Sequence, residues 1–139
     1  MHLEGHCLCG AVSYAFDGEP AVTALCHCAN CQRQTGTASS LIVGVPANGF
    51  SVQGGTLRTF ATTGDDHGTN TNRHFCSACG SPIVSRVEAI PDLVFIKGGT
   101  LNDTSWLRPT VELWCQSAQP WEPAIPGAQR LDRGPSRAA

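Results

Sequence analysis

The chain has 139 residues, one domain's worth, with 41% hydrophobic residues for a core and only 14% charged ones. Its formal net charge is −2, with a single lysine and no basic block, so composition and charge give no support for a nucleic-acid-binding surface. No run of about 18 apolar residues exists to span a membrane, and the start, MHLEGHCLCG, lacks the basic and apolar regions of a secretory signal, which reads as a cytoplasmic protein.

In chain order, residues 11–16 predict a strand entered from Gly10, and Asp17-Gly18-Glu19-Pro20 predicts a turn. A second strand over 20–25 leads into a cluster of cysteines. Residues 29–36 predict a short helix stopped by Gly36. Strands follow over 37–45, around 50–52 and over 56–62. The polar stretch from Thr63 to Asn72 predicts a loop, in which Asp65, Asp66 and His67 are either a minor metal site or, more simply, solvated side chains. Strands over 83–87, 93–97 and 111–115 complete the pattern. Beyond Trp121 the density of proline and glycine predicts a flexible tail, which divides the chain into a domain over 1–122 and a tail over 123–139. Many short strands, frequent turns and little helical periodicity mean a mainly β domain.

Eight cysteines are the unusual feature, and seven of them fall into three clusters: Cys7/Cys9, Cys26/Cys28/Cys31 and Cys76/Cys79. A disulfide framework belongs to secreted proteins, and cysteines spaced C-x-C are poorly placed to bridge each other. An iron–sulfur cluster lacks its usual run of cysteines. Zinc takes four thiolates in a tetrahedron, and C-x-C or C-x₂-C lets one turn present two sulfurs to it. Seven ligands divide into a closed set of four and an open set of three. Cys26, Cys28 and Cys31 lie within six residues and form the open set. Cys7, Cys9, Cys76 and Cys79 form a structural site that closes a loop of 66 residues, from 10 to 75. Two Zn²⁺ against seven thiolates bring the chain to a charge of about −5, whereas unmetallated thiolates so close together would stay protonated or oxidise. Cys115, alone in an apolar stretch, reads as a small buried hydrophobe.

The segments GHCLCGAV at 5–12, CHCANCQRQTG at 26–36 and RHFCSACGSPI at 73–83 resemble the glutathione-dependent formaldehyde-activating enzyme family, which includes the CENP-V-like proteins. The stretch from Pro109 through Glu112-Leu113-Trp114 to Pro120-Trp121 matches the family's ending, so the resemblance runs from residue 4 to about 121. It implies an Mss4-like β-tent. It implies two zinc sites: a structural one on Cys7, Cys9, Cys76 and Cys79, and a catalytic one on Cys26, Cys28 and Cys31. It also implies a carbon–sulfur lyase activity, the condensation of glutathione with formaldehyde to S-(hydroxymethyl)glutathione, with the thiol and a small aldehyde as partners.

Three thiolates neutralise Zn²⁺ and make it a weak Lewis acid, which favours capture of a thiol at the open position over strong activation of a carbonyl. His27, between two ligands, is expected to orient the site rather than ligate. Arg33 either clamps a carboxylate of the tripeptide or is a solvated side chain. Arg73 and His74 precede the Cys76/Cys79 turn and either line the cleft or, more simply, have packing or surface roles; His6 adjoins Cys7 and could replace a ligand, though four cysteines make that unnecessary. Trp114 and Trp121 suit core packing or an aromatic wall. A non-catalytic zinc scaffold, or a thiol or metal sensor of the same fold, remains the alternative, and closure of the fourth position by Cys115 or His27 would favour it.

Overall fold

A computed structural model describes residues 1–63 and 68–134, so Asp65, Asp66 and His67 lie outside the described residues. The chain is mostly β. A three-stranded antiparallel sheet has the order β1 (His2–His6), β2 (Ser13–Asp17), β5 (Phe50–Gln53). The larger sheet has eight strands. Its order is β11 (Gln129–Arg130), β10 (Val111–Leu113), β3 (Val22–Cys26), β4 (Ser40–Pro46), β9 (Leu93–Lys97), β8 (Pro82–Val87), β7 (Asn70–Cys76), β6 (Leu57–Thr63). All its pairings are antiparallel except those of β10, which runs parallel to both β3 and β11.

Side chains alternate across a strand, so register assigns each to a face. On β4 and β9, Val43 pairs with Ile96 and Val45 with Val94. These four are fully buried and pack with Leu3, Tyr14 and Phe16 of the small sheet, which places the core between the two sheets. Each such side chain contributes about 1.5–3 kcal/mol by leaving water. The opposite parity carries different chemistry. Cys26 pairs with Ser40, and Ile42 with Lys97, on the outer face. One helix, α1 (Ala29–Thr35), lies against β4. It is short because Gly36, in the left-handed region at φ 68°, ends it with an N–H bond to the Gln32 carbonyl.

Three strands differ from the sequence reading. β1 is interrupted by glycine and histidine, yet its pattern of exposed and buried residues alternates strictly. β7 begins inside the polar stretch read as a loop, where Thr71 and Asn72 pair with β8. The stretch read as a flexible tail from 123 returns to the large sheet through β11. There the Leu131 N–H donates to the Glu112 carbonyl at 2.9 Å and the Cys115 N–H to the Leu131 carbonyl at 2.9 Å. Backbone hydrogen bonds to an open sheet edge need no apolar pattern, so composition did not signal them. Among the described residues no helix is long and apolar enough to cross a membrane.

Candidate metal centre

Two turns bring the first four cysteines together. One follows β1, where the Gly10 N–H donates to the Cys7 carbonyl at 3.0 Å. The other follows β7, where the Gly80 N–H donates to the Cys76 carbonyl at 2.7 Å. Both glycines have positive φ, 81° and 80°, which a residue with a Cβ adopts only at a cost. The Sγ atoms of Cys7, Cys9, Cys76 and Cys79 lie within 4.8 Å of one another. Four sulfurs about 2.3 Å from one ion at the corners of a tetrahedron stand about 3.8 Å apart. Cys7 and Cys9 are 3.6 Å apart and Cys9 and Cys76 3.8 Å, so the donor set and its spacing fit zinc.

The surroundings favour thiolates. The Val12 N–H donates to Cys7 Sγ at 3.3 Å, and the Thr56 hydroxyl lies 3.2 Å from Cys76 Sγ. That hydroxyl and nearby backbone N–H groups hold Cys76 below the usual thiol range. The Ser81 hydroxyl and N–H, with the Cys9 N–H, bring Cys79 to about 5. At Cys9 the Ala11 N–H pulls down, but the three neighbouring sulfurs and burial outweigh it and push the thiol up to about 11. Four thiols this close together are relieved of their mutual repulsion when a cation takes the place of their protons.

The second cluster is local. Cys26 ends β3, Cys28 caps α1 with its Sγ accepting from the Cys31 N–H at 3.2 Å, and Cys31 sits in the first helical turn. Their sulfurs also lie within 4.8 Å of one another. Cys26 and Cys31 are buried; Cys28 is half-buried, which leaves a way in from solvent. Among the described residues no fourth histidine, cysteine or carboxylate joins this group. Cys115 Sγ instead donates to the Glu112 carbonyl at 3.5 Å. The His27 ring turns to Glu112, with Nε2 2.9 Å from Oε1.

Two buried cations stand beside the three sulfurs. Lys97 Nζ donates to Ser40 Oγ at 2.8 Å, and Ser40 is the cross-strand partner of Cys26. Arg73 Nη1 lies 3.9 Å from Cys31 Sγ and donates to Gln34 Oε1 at 3.0 Å, while its Nε donates to Thr62 Oγ1 at 3.2 Å. Burial lowers Lys97 from its ordinary value, and the cysteines pull it back up. Hydrogen bonds from the Cys26 and Cys28 thiols, with Lys97 and Arg73 alongside, hold Cys31 well below the thiol range. The same sharing pushes Cys26 far up. Lys97 and Arg73 thus favour the thiolate form in this cluster.

Sequence reasoning did not single out Lys97, Glu112 or the contact of Arg73 with Cys31. Lys97 closes the apolar run LVFIK, and Glu112 sits between Val111 and Leu113. A charge inside a short apolar strand is the signal that was there to use. Arg33 is exposed on α1. His6 bonds its own chain through Nδ1 to the Cys7 carbonyl at 2.7 Å. Trp114 stacks under Arg133 at 4.5 Å, and Trp121 is exposed. Glu112 is raised by burial, but His27, the Ile125 N–H and Arg130 outweigh it and hold it below the ordinary carboxylate range.

Comparisons with known proteins agree with this architecture. A crystal structure of a Rhodobacter sphaeroides protein, a structural genomics target, superposes with a TM-score of 0.57 at 20% identity. The match covers 76% of this chain and 91% of that one, and shows a shared fold. No curated protein matches the sequence. The family described as "Glutathione-dependent formaldehyde-activating enzyme" matches residues 2–117, which is most of the chain. The protein belongs to that glutathione-dependent formaldehyde-activating enzyme family.

Proposed function

We propose that the protein is a zinc-dependent carbon–sulfur lyase that joins a thiol, glutathione or a close relative, to formaldehyde or another small aldehyde. The observation that carries this reading is the Cys26/Cys28/Cys31 cluster: three sulfurs within 4.8 Å, no fourth ligand among the described residues, and two buried cations alongside. Family membership supports the same chemistry. Cys7, Cys9, Cys76 and Cys79 would hold a structural zinc, and Cys26, Cys28 and Cys31 the functional one. A zinc ion on three thiolates supplies an open position that takes an anionic sulfur.

The chain's own residues then have distinct tasks. Three cysteine thiolates cancel the Zn²⁺ charge and leave a surplus of one negative, and Lys97 with Arg73 reverses it. The pocket is therefore set for an anion, which favours the deprotonated form of an incoming thiol. Half-buried Cys28 borders the approach. Arg33, exposed two residues beyond Cys31, would meet a carboxylate of the tripeptide outside the cluster. His27 orients the turn. The sulfur attacks the aldehyde carbon, one C–S bond forms, and the carbonyl oxygen takes up the proton the thiol gave up. No other atoms are gained or lost. All eight cysteines are free, which suits a reducing compartment such as the cytoplasm.

The test compares the rate of S-(hydroxymethyl)glutathione formation and breakdown with and without zinc-loaded protein. A saturable excess over the solution reaction, lost in Cys28→Ser, supports the enzyme. Two metals bound with no excess rate would leave a thiol-binding zinc scaffold or sensor.

A further inference from the structure

Glu112 is the middle residue of β10 and has 0% exposure. A carboxylate removed from water is costly unless its oxygens are satisfied. Here three donors converge. His27 Nε2 donates to Oε1 at 2.9 Å, the Ile125 N–H to Oε2 at 3.1 Å, and Arg130 Nη1 to Oε2 at 2.6 Å.

The two oxygens face two different parts of the chain. On one side stands His27, the residue between Cys26 and Cys28. Its N–H donates to the Leu113 carbonyl at 2.9 Å, and its carbonyl accepts from Gln32 Nε2 at 2.7 Å. With the ring pinned by Glu112, residue 27 is held at three points. Its backbone torsions set the angle between the side chains on either side, and so the separation of the Cys26 and Cys28 sulfurs. On the other side stand Ile125 and Arg130. Both belong to the segment after residue 117, beyond the part of the chain that matches the family. That segment is tied to β10 by the parallel pairing of Glu112 with Arg130.

We propose that Glu112 is a positioning residue for the three-cysteine site, and that residues 125–131 complete its hydrogen bonds and so brace the Cys26–Cys28 turn from outside the family-matched region. The inference rests on the reading that Cys26, Cys28 and Cys31 hold a metal. A structural role in general stability would weaken both cysteine clusters together. A brace on residue 27 weakens one of them.

The experiment titrates Co²⁺ alone into the full chain and follows thiolate-to-cobalt absorption against a competing chelator. Wild type, Cys28→Ser, Glu112→Gln and Arg130→Met are compared, with Cys28→Ser identifying the step that belongs to the four-cysteine site. Loss of an outer partner of a metal site costs about 10–100-fold in affinity. The expected result is a loss of about tenfold or more at the three-cysteine step in Glu112→Gln, and of about threefold or more in Arg130→Met. The four-cysteine step stays where it is in both. Affinity at the three-cysteine step equal to wild type in Arg130→Met overturns the inference, as does an equal weakening of both steps. The Arg130 side chain is 41% exposed and two donors to Glu112 remain without it, so that variant is the milder change and decides the matter if Glu112→Gln does not fold. A wild-type chain that takes up one Co²⁺ in place of two removes the metal reading itself, and the brace with it.

Discussion

The sulfur of Cys9 stands 3.8 Å from the sulfur of Cys76, although the two residues are 67 positions apart. The contact joins the turn after the small sheet's first strand to the turn after β7 of the large sheet. Cys7 and Cys76 are both members of the core cluster, so the cysteine site is continuous with the apolar packing between the sheets.

Cys76→Ser therefore loses the fold, not one ligand only. A structural zinc contributes about 10–16 kcal/mol of apparent binding energy, against a total stability of about 5–15 kcal/mol for a domain. The expected outcome is an insoluble chain, or a soluble one with collapsed near-ultraviolet circular dichroism. A cooperative unfolding transition within a few degrees of wild type would remove Cys76 from the structural set.

Cys28→Ser behaves differently. Cys28 is half-buried at the start of α1, and its cluster draws on residues within a single strand–helix junction. The chain is expected to keep its unfolding transition, to fall by one metal per chain in elemental analysis, and to lose the proposed thiol-dependent activity. Global unfolding of this variant would show that the second cluster also holds the fold together.

His74 supplies a pH dependence. Its Nδ1 shares a hydrogen bond with the Thr59 hydroxyl at 2.8 Å, and among the described residues its buried Nε2 has no partner. Burial and the nearby Arg86 charge lower its pKa below 6.5. The unfolded chain then binds a proton more readily than the folded one, so stability rises with pH across this window. His74's contribution is present above about pH 6.5 and is lost as pH falls below it. The melting temperature of His74→Gln should fall less than that of wild type between pH 7.5 and 5.5. Equal slopes would mean that His74 titrates as it does in the unfolded chain.

Much of this was legible in the residues. Short apolar stretches between turn residues marked β2, β3, β4 and β9, and the cysteine spacing separates a set of four from a set of three. Other parts lay outside such signals. β1 is assembled from His2, Glu4, Gly5 and His6, with Leu3 its one buried large apolar side chain. β11 forms through backbone bonds to Glu112 and Cys115 in a stretch whose prolines and glycines suggest a tail. Lys97 and Arg73 are 24 positions apart and belong to strands separated by β8, so only the register of the sheet brings two cations to one cluster.

Those cations carry the last prediction. In Lys97→Met the side chain stays unbranched, one atom shorter, and keeps an apolar stem but loses a charge beside three sulfurs. Burial of the uncharged residue is easier, so the fold is retained. Attraction between buried charges is much stronger than in water, and its loss falls on whatever anion enters the site. An anionic thiol should bind the metal-loaded variant about tenfold more weakly, while neutral imidazole binds unchanged. Isothermal titration of the zinc-loaded protein with glutathione and with imidazole reads both. Equal weakening of the two ligands would assign Lys97 to the geometry of the site, and unchanged affinity for both would leave the charge balance at the cluster to Arg73 alone.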